Sequence, residues 1–184
     1  MKTIKSKLMV LAISLATAAS MAFASPTSAS TGVAGDAQTN NKIRKELVTL
    51  PYYGVFDNLT YEVQGDTVTL SGQVVRPSTR KDAERRVSRI EGVDRVINNI
   101  EVLPVSGFDE SIRARTYRAV FRTSSLYRYA MGANPSIHIV VNRGHVTLEG
   151  AVSSRMDSQL AYMAANQVPG VFSVTNNLRV ASGR

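Results

Sequence analysis

A seven-residue stretch occurs twice in the chain, as Val68-Thr69-Leu70-Ser71-Gly72-Gln73-Val74 and as Val146-Thr147-Leu148-Glu149-Gly150-Ala151-Val152. The copies lie 78 residues apart, and the likeness runs without a gap from 59–102 to 137–180, with 13 of 44 aligned positions identical. Self-similarity at a fixed spacing makes each copy one structural unit, so the architecture is a tandem. A unit of roughly 70 residues has a marginal core on its own and gains by packing on a neighbour.

Within the first copy, Leu59, Tyr61 and Val63 alternate with polar residues, as do Val68, Leu70, Gly72 and Val74 after a Gly-containing break. Alternation of this kind predicts two half-buried strands in a hairpin. Parity fixes the register. If Val63 and Val68 both face inward and pair, Gln64 pairs with Thr67 around a Gly65-Asp66 turn, and Gly72 falls opposite Leu59. The second copy gives Val141 opposite Val146 around Arg143-Gly144, and Gly150 opposite Ile137. An inward Gly in a strand suggests close approach of another backbone, and the following helix is the expected neighbour.

Helices are predicted over 79–90, with Ala83, Val87 and Ile90 on one stripe, and over 156–168, with Ala161, Ala165 and Val168 at the aligned positions. Thr79 to Asp82 and Ser154 to Asp157 have capping-box spacing, and Gly92 and Gly170 suit left-handed C-caps. A third strand follows each helix, carrying Asn98-Asn99 or Asn176-Asn177. Upstream, Ile43, Leu47 and Val48 predict a short helix from Asn40 to about Leu50, and 109–130 a longer one. The expectation is an α+β protein of two tandem αββαβ units, each a small mixed three-stranded sheet with two helices on one face.

The domain plan is a signal peptide over 1–24, a flexible lead-in over 25–39, a first unit over 40–103, a linker over 104–108 and a second unit over 109–181. The leader rests on Lys2, Lys5 and Lys7, the apolar run 8–16 and the ending Ala22-Phe23-Ala24. That run is too short for a membrane anchor. The chain has no Cys, which excludes disulfides, thiolate metal sites and a lipoprotein anchor. Its formal charge is +8. Between 36 and 102 ten basic residues meet ten acidic ones, whereas from 108 to 184 nine basic residues meet four. The second unit carries the mature chain's excess.

Val-Thr-Leu-x-Gly-x-Val in a hairpin, a helix, and then Gly-Val-x-x-Val-x-Asn-x-(Ile or Leu)-x-Val resembles the BON domain family. With a leader and two such units, the arrangement is similar to that of an osmotically inducible periplasmic member. The resemblance implies a periplasmic, non-enzymatic module associating with phospholipid or envelope components, in envelope or osmotic stress protection. The segment Arg128 to Pro135 departs from the first unit's pattern.

Enzymatic chemistry finds little to use. His138 and His145 fall on the outward face of the second hairpin, where His138 opposite Glu149 makes a cross-strand pair without a metal. No cofactor or metal site is expected. The best binding surface is the basic helix, where Arg115, Arg118 and Arg122 share a face and Tyr127, Arg128 and Tyr129 follow. Guanidinium forks hold phosphate and Tyr suits a membrane interface, so the expected partner is an anionic phospholipid surface. The alternative is that these arginines only solvate the helix. Nucleic acid ranks last for an exported chain. Leu160, Tyr162 and Met163 stand where the first unit has Asp82, Glu84 and Arg85. They predict an interface, either between the repeats or with an envelope protein in an adaptor or chaperone-like role.

Overall fold

The computed structural model describes residues 31–132 and 134–181. The signal peptide expected over 1–24 and residues 25–30 of the lead-in lie outside them. The first repeat runs α1 (Thr31–Val48), β1 (Asn58–Gln64), β2 (Thr67–Val74), α2 (Pro77–Val87), β3 (Arg95–Asn98) and β4 (Glu101–Val102). The second runs α3 (Gly107–Arg122), a 3-10 turn (Tyr127–Ala130), β5 (Ile137–Asn142), β6 (His145–Val152), α4 (Arg155–Asn166), β7 (Ser173–Asn176) and β8 (Arg179–Val180). Both are αββαβ units of an α+β fold, with the third strand split in two.

The hairpin registers follow from parity. Val63 pairs with Val68, Gln64 with Thr67 and Leu59 with Gly72. Val141 pairs with Val146, and Ile137 with Gly150. The third strand lies parallel to the inner hairpin strand, so each sheet is mixed. Its break comes at the Asn pair, where the Asn98 side chain accepts from the Ile100 N–H at 3.2 Å. A local side-chain bond of this kind competes with the ladder. The main chain rejoins the sheet at once.

Each repeat has its own core. Ile43, Leu47 and Leu50 meet Val68, Leu70, Val74, Ala83 and Val87 in the first, and Ile112 and Val120 meet Ile139, Val141, Leu148, Ala161 and Ala165 in the second. Two helices thus cover one face of each sheet.

Several local expectations are corrected. Gly72 and Gly150 both have φ +113, and a Cβ there would stand 2.1 Å from the Asn58 carbonyl oxygen and 2.0 Å from that of Ser136. The close neighbour is the partner strand of the hairpin rather than a helix. α1 begins at Thr31, nine residues before the expected Asn40, within the segment read as a flexible lead-in. α2 starts at Pro77 with Arg76 as an N-cap that makes no side-chain cap bond, and Thr79 lies buried inside it. Pro at the first helical position supplies the start that a capping hydroxyl was expected to give. In α4 the expected cap is present, Ser154 accepting from the Asp157 N–H at 3.1 Å. Gly92 and Gly170 have left-handed φ, but they lie beyond the helix ends and close the turns in which Val93 and Val171 donate to the carbonyls of Ile90 and Val168. The long basic helix stops at Arg122, Thr123 turning to extended backbone, and the tyrosines sit on the separate 3-10 turn.

Candidate functional site

α3 presents its arginines along a groove of about 480 Å³ between itself and the C-terminal end of α4, lined by Arg115, Arg118, Arg122, Ala164, Gln167 and Pro169 among others. Spacing by three and four places the guanidinium groups on one side of the helix. Among the described residues no carboxylate lines the groove. Arg115 is partly spent, donating to the Pro169 carbonyl at 2.9 Å and to Ser111 Oγ at 2.6 Å. Arg118 bonds only its own helix, at the Ala114 carbonyl, and stays exposed. Arg122 is exposed as well.

Asp109, buried in the first turn of α3, accepts from the Arg143 and Gly144 N–H groups at 2.9 and 2.8 Å. It ties the start of the helix to the β5–β6 turn. Buried Arg113 donates to the Val141 carbonyl at 2.9 Å and meets Glu110 at 3.1 Å. Neither role was evident from the basic stripe, because charge spacing cannot tell a sheet-facing arginine from a solvated one.

The three residues after α3 separate. Tyr127 is exposed. Arg128 and Tyr129 are committed to α4, with Arg128 2.7 Å and the Tyr129 hydroxyl 2.8 Å from Asp157 Oδ2, while Tyr129 also accepts from the Ser153 N–H at 2.8 Å. The Ser154 hydroxyl bond first, then those of Tyr129 and Arg128, hold the Asp157 carboxyl below its usual range against the opposing effect of burial. These two side chains fasten the start of α4, Tyr129 buried there and Arg128 still exposed.

Leu160 is partly buried against its own core, whereas Tyr162 and Met163 are 39% and 48% exposed. Packing of one repeat on the other is seen at a different segment. The segment Tyr53–Phe56 makes that joint. Val55 and Phe56 pack against the second core, Phe56 meets Tyr117 edge-on at 6.2 Å and Tyr117 meets Phe121 at 4.8 Å. The Val55 carbonyl accepts from the Ile139 N–H at 2.7 Å, on the outer edge of β5.

His138 belongs to this joint. Its ring lies 5.5 Å from that of Tyr53 and its Nδ1 lies 3.2 Å from the Gly54 carbonyl oxygen, while Glu149 accepts from Asn177 at 2.7 Å. His138 and Glu149 are cross-strand partners in the expected register, and Glu149 acts on the ring through its charge, while the close contacts of the ring run across the repeats. Burial holds the His138 pKa below its ordinary value, opposed by the Gly54 and Asp57 hydrogen bonds. Burial also raises that of Asp57, whose carboxylate accepts from the Val75 and Gly54 N–H groups, and pushes that of Tyr53 up to about 12. The sequence signal for the joint was the aromatic run Tyr52-Tyr53-Gly54-Val55-Phe56, which fits neither strand alternation nor a helical stripe.

A pair of phenylalanines marks the tip of the second repeat. Phe108 and Phe172 are 46% and 70% exposed with ring centres 5.9 Å apart, beside exposed Arg143 and His145. Among the described residues no group of three or more His, Cys, Asp or Glu could hold a metal, and no helix is long and apolar enough to cross a membrane.

The profile of the BON domain matches residues 35–104 and again 109–182. The chain belongs to the BON domain family, a family of non-catalytic binding domains, here in tandem. No curated relative matches it in sequence. Solved structures that are similar include two of CdsD, a structural protein of the type III secretion system of Chlamydia trachomatis. The first, its C-terminal domain, is 10% identical, covering 77% of this chain and 96% of its own at a TM-score of 0.27. The second is 11% identical, covering 79% and 94% at 0.29.

Proposed function

We propose that this is a non-enzymatic periplasmic protein, exported by a cleaved leader, that associates with the cell envelope by holding anionic phospholipid headgroups at its second repeat. The observation that carries this reading is the groove of α3, where Arg115, Arg118 and Arg122 converge with no carboxylate among the described residues. Arg118 and Arg122 supply the open charge, and Arg115 lines the floor. Membership of a family associated with phospholipid and the envelope supports the reading, as does the exposed Phe108–Phe172 pair on the same repeat. A role in envelope stress protection is consistent with it. Each cation near an anionic bilayer contributes about 1 kcal/mol, so attachment is weak, peripheral and salt-sensitive.

The test is co-sedimentation with vesicles containing phosphatidylglycerol, against phosphatidylcholine alone, at low and high salt. Binding is expected only to the anionic vesicles, falling with salt, and Arg118→Glu with Arg122→Glu should weaken it by at least about tenfold. Equal binding by that variant would sink the site. A protein-binding adaptor is the second reading, favoured by the exposure of Tyr162 and Met163. A pull-down from envelope extract that fails after Tyr162→Ser and Met163→Ser, with vesicle binding intact, would establish it instead.

A further inference from the structure

The surface that the second repeat uses to receive Tyr53–Phe56 has a counterpart in the first repeat. Ile43 and Leu47 of α1 are buried as Thr116 and Val120 of α3 are, which puts Arg44 and Val48 at the places of Tyr117 and Phe121. The repeat spacing puts Leu59, Thr60 and Tyr61 at the places of Ile137, His138 and Ile139. In the first repeat Arg44, Leu47, Val48, Leu59, Thr60 and Tyr61 line an open groove of about 490 Å³, with Tyr53 and Arg179 completing its wall.

The main chain is ready there too. Tyr61 pairs with Leu70 in the register in which Ile139 pairs with Leu148. Ile139 turns its N–H away from β6 to the Val55 carbonyl, so the Tyr61 N–H faces the outer edge of β1. Among the described residues no strand pairs on that side. The Leu59 N–H on this edge is taken by the Tyr53 hydroxyl, and an open edge group such as that of Tyr61 beside an apolar groove is the geometry that accepts an added extended segment.

We infer that this groove docks an extended peptide that lays a carbonyl on Tyr61, an apolar side chain on Leu47, Val48 and Leu59, and an acidic side chain between Arg44 and Arg179. Charge selects the occupant. Where Phe56 meets Tyr117 in the second repeat, an occupant of the first meets Arg44, and both Arg44 and Arg179 are exposed, with no hydrogen bond or ion pair to another described residue. A second copy of the chain is a poor fit, because its corresponding loop, 131–136, holds neither an aromatic nor an acidic residue. The site is separate from the groove of α3 and does not rest on the lipid reading.

The probe is a labelled synthetic peptide of residues 51–58 of this chain carrying Phe56→Glu, compared with the unmodified peptide on the full-length protein. Saturable one-to-one binding is expected, about fivefold tighter for the Phe56→Glu peptide, with slowed hydrogen exchange at the Tyr61 amide. Arg44→Glu with Arg179→Glu, both surface changes, should weaken that peptide by at least about tenfold and reverse the preference, while leaving vesicle sedimentation unchanged. No saturable binding overturns the proposal, as does an unaltered preference in the double variant. Protection that appears at α3, or a loss of protection at Ile139 showing that the native loop is displaced, overturns it as well.

Discussion

Tyr61 and Ile139 hold the same place in the two hairpins, yet the outer edge of β5 at Ile139 is covered by Val55 of the neighbouring repeat, whereas among the described residues no strand pairs with that of β1. The contrast extends across the surface. Lys42 lies 3.7 Å from Glu91 in the first repeat, whereas in the second the place of Glu91 is taken by Pro169, whose carbonyl receives Arg115. Asp66 and Asp94 at one tip become Gly144 and Phe172 at the other. Register, strand order and the Gly-bearing inner strand are held constant while the charge and apolar character of the covering residues change. Duplication supplies the scaffold, and function follows the surfaces that diverged.

Four comparisons, made with six substitutions, break or sharpen that contrast. The largest effect is expected where the repeats agree. Gly72→Ala and Gly150→Ala each drive a Cβ into a strand carbonyl at φ +113, and each should cost about 3 kcal/mol in urea unfolding. A much smaller loss at either would mean that this strand is free to shift. Phe56→Ala should cost about 2 kcal/mol and split one cooperative melt into two, because it removes the main apolar anchor of the joint. A single unchanged transition would show the repeats to be coupled elsewhere.

Ser154→Ala removes a cap that the first repeat lacks, at a cost of about 1 kcal/mol. The mirror change, Arg76→Ser, should gain less, since it gives up the stacking of Arg76 over the Tyr52 ring at 4.7 Å. Melting temperatures of the two variants check the asymmetry.

The smallest effect is on pH. The joint holds the His138 pKa below 6.5, so the open joint binds the proton more readily. Its contribution is therefore complete above about pH 6.5 and is lost as pH falls toward the lowered pKa. Asp57, raised by burial, works in the opposite sense, regaining stability as pH falls through its own raised pKa. Glu149 and Tyr53 also face the ring. Relative to His138→Phe, the wild type should lose thermal stability between about pH 7.5 and about pH 5.5. Parallel curves for the two proteins would remove His138 from the joint.

Much of the architecture could be read from residues because strand side chains repeat every second position. Val63 with Val68, and the offset from Leu59 to Gly72, admit one register once a face is chosen. The start of α1 could not, since 31–40 carries two glycines and no apolar stripe. Helix propagates outward from the turn anchored by Ile43 and Leu47 at one bond per residue. The basic face of α3 was visible in its spacing, but its division into groove, sheet and cap residues was not. Arg113, Arg115 and Arg128 are distinguished by what lies opposite them, a strand carbonyl, a turn carbonyl and a buried carboxylate. The joint was hidden for the same reason, because β5 lies about 80 residues beyond the aromatic run that covers it.

The Val55–Ile139 contact also sets an order of events. A growing or re-emerging chain completes β1 and β2 of the first repeat before β5 exists. During that interval Val55 and Phe56 are an apolar loop without a seat. The second repeat then folds beside a neighbour that already offers a carbonyl and a ring to its edge. Closure of the joint thus waits on β5, and a chain cut short after the first repeat would display a sticky loop where the whole protein has a seam.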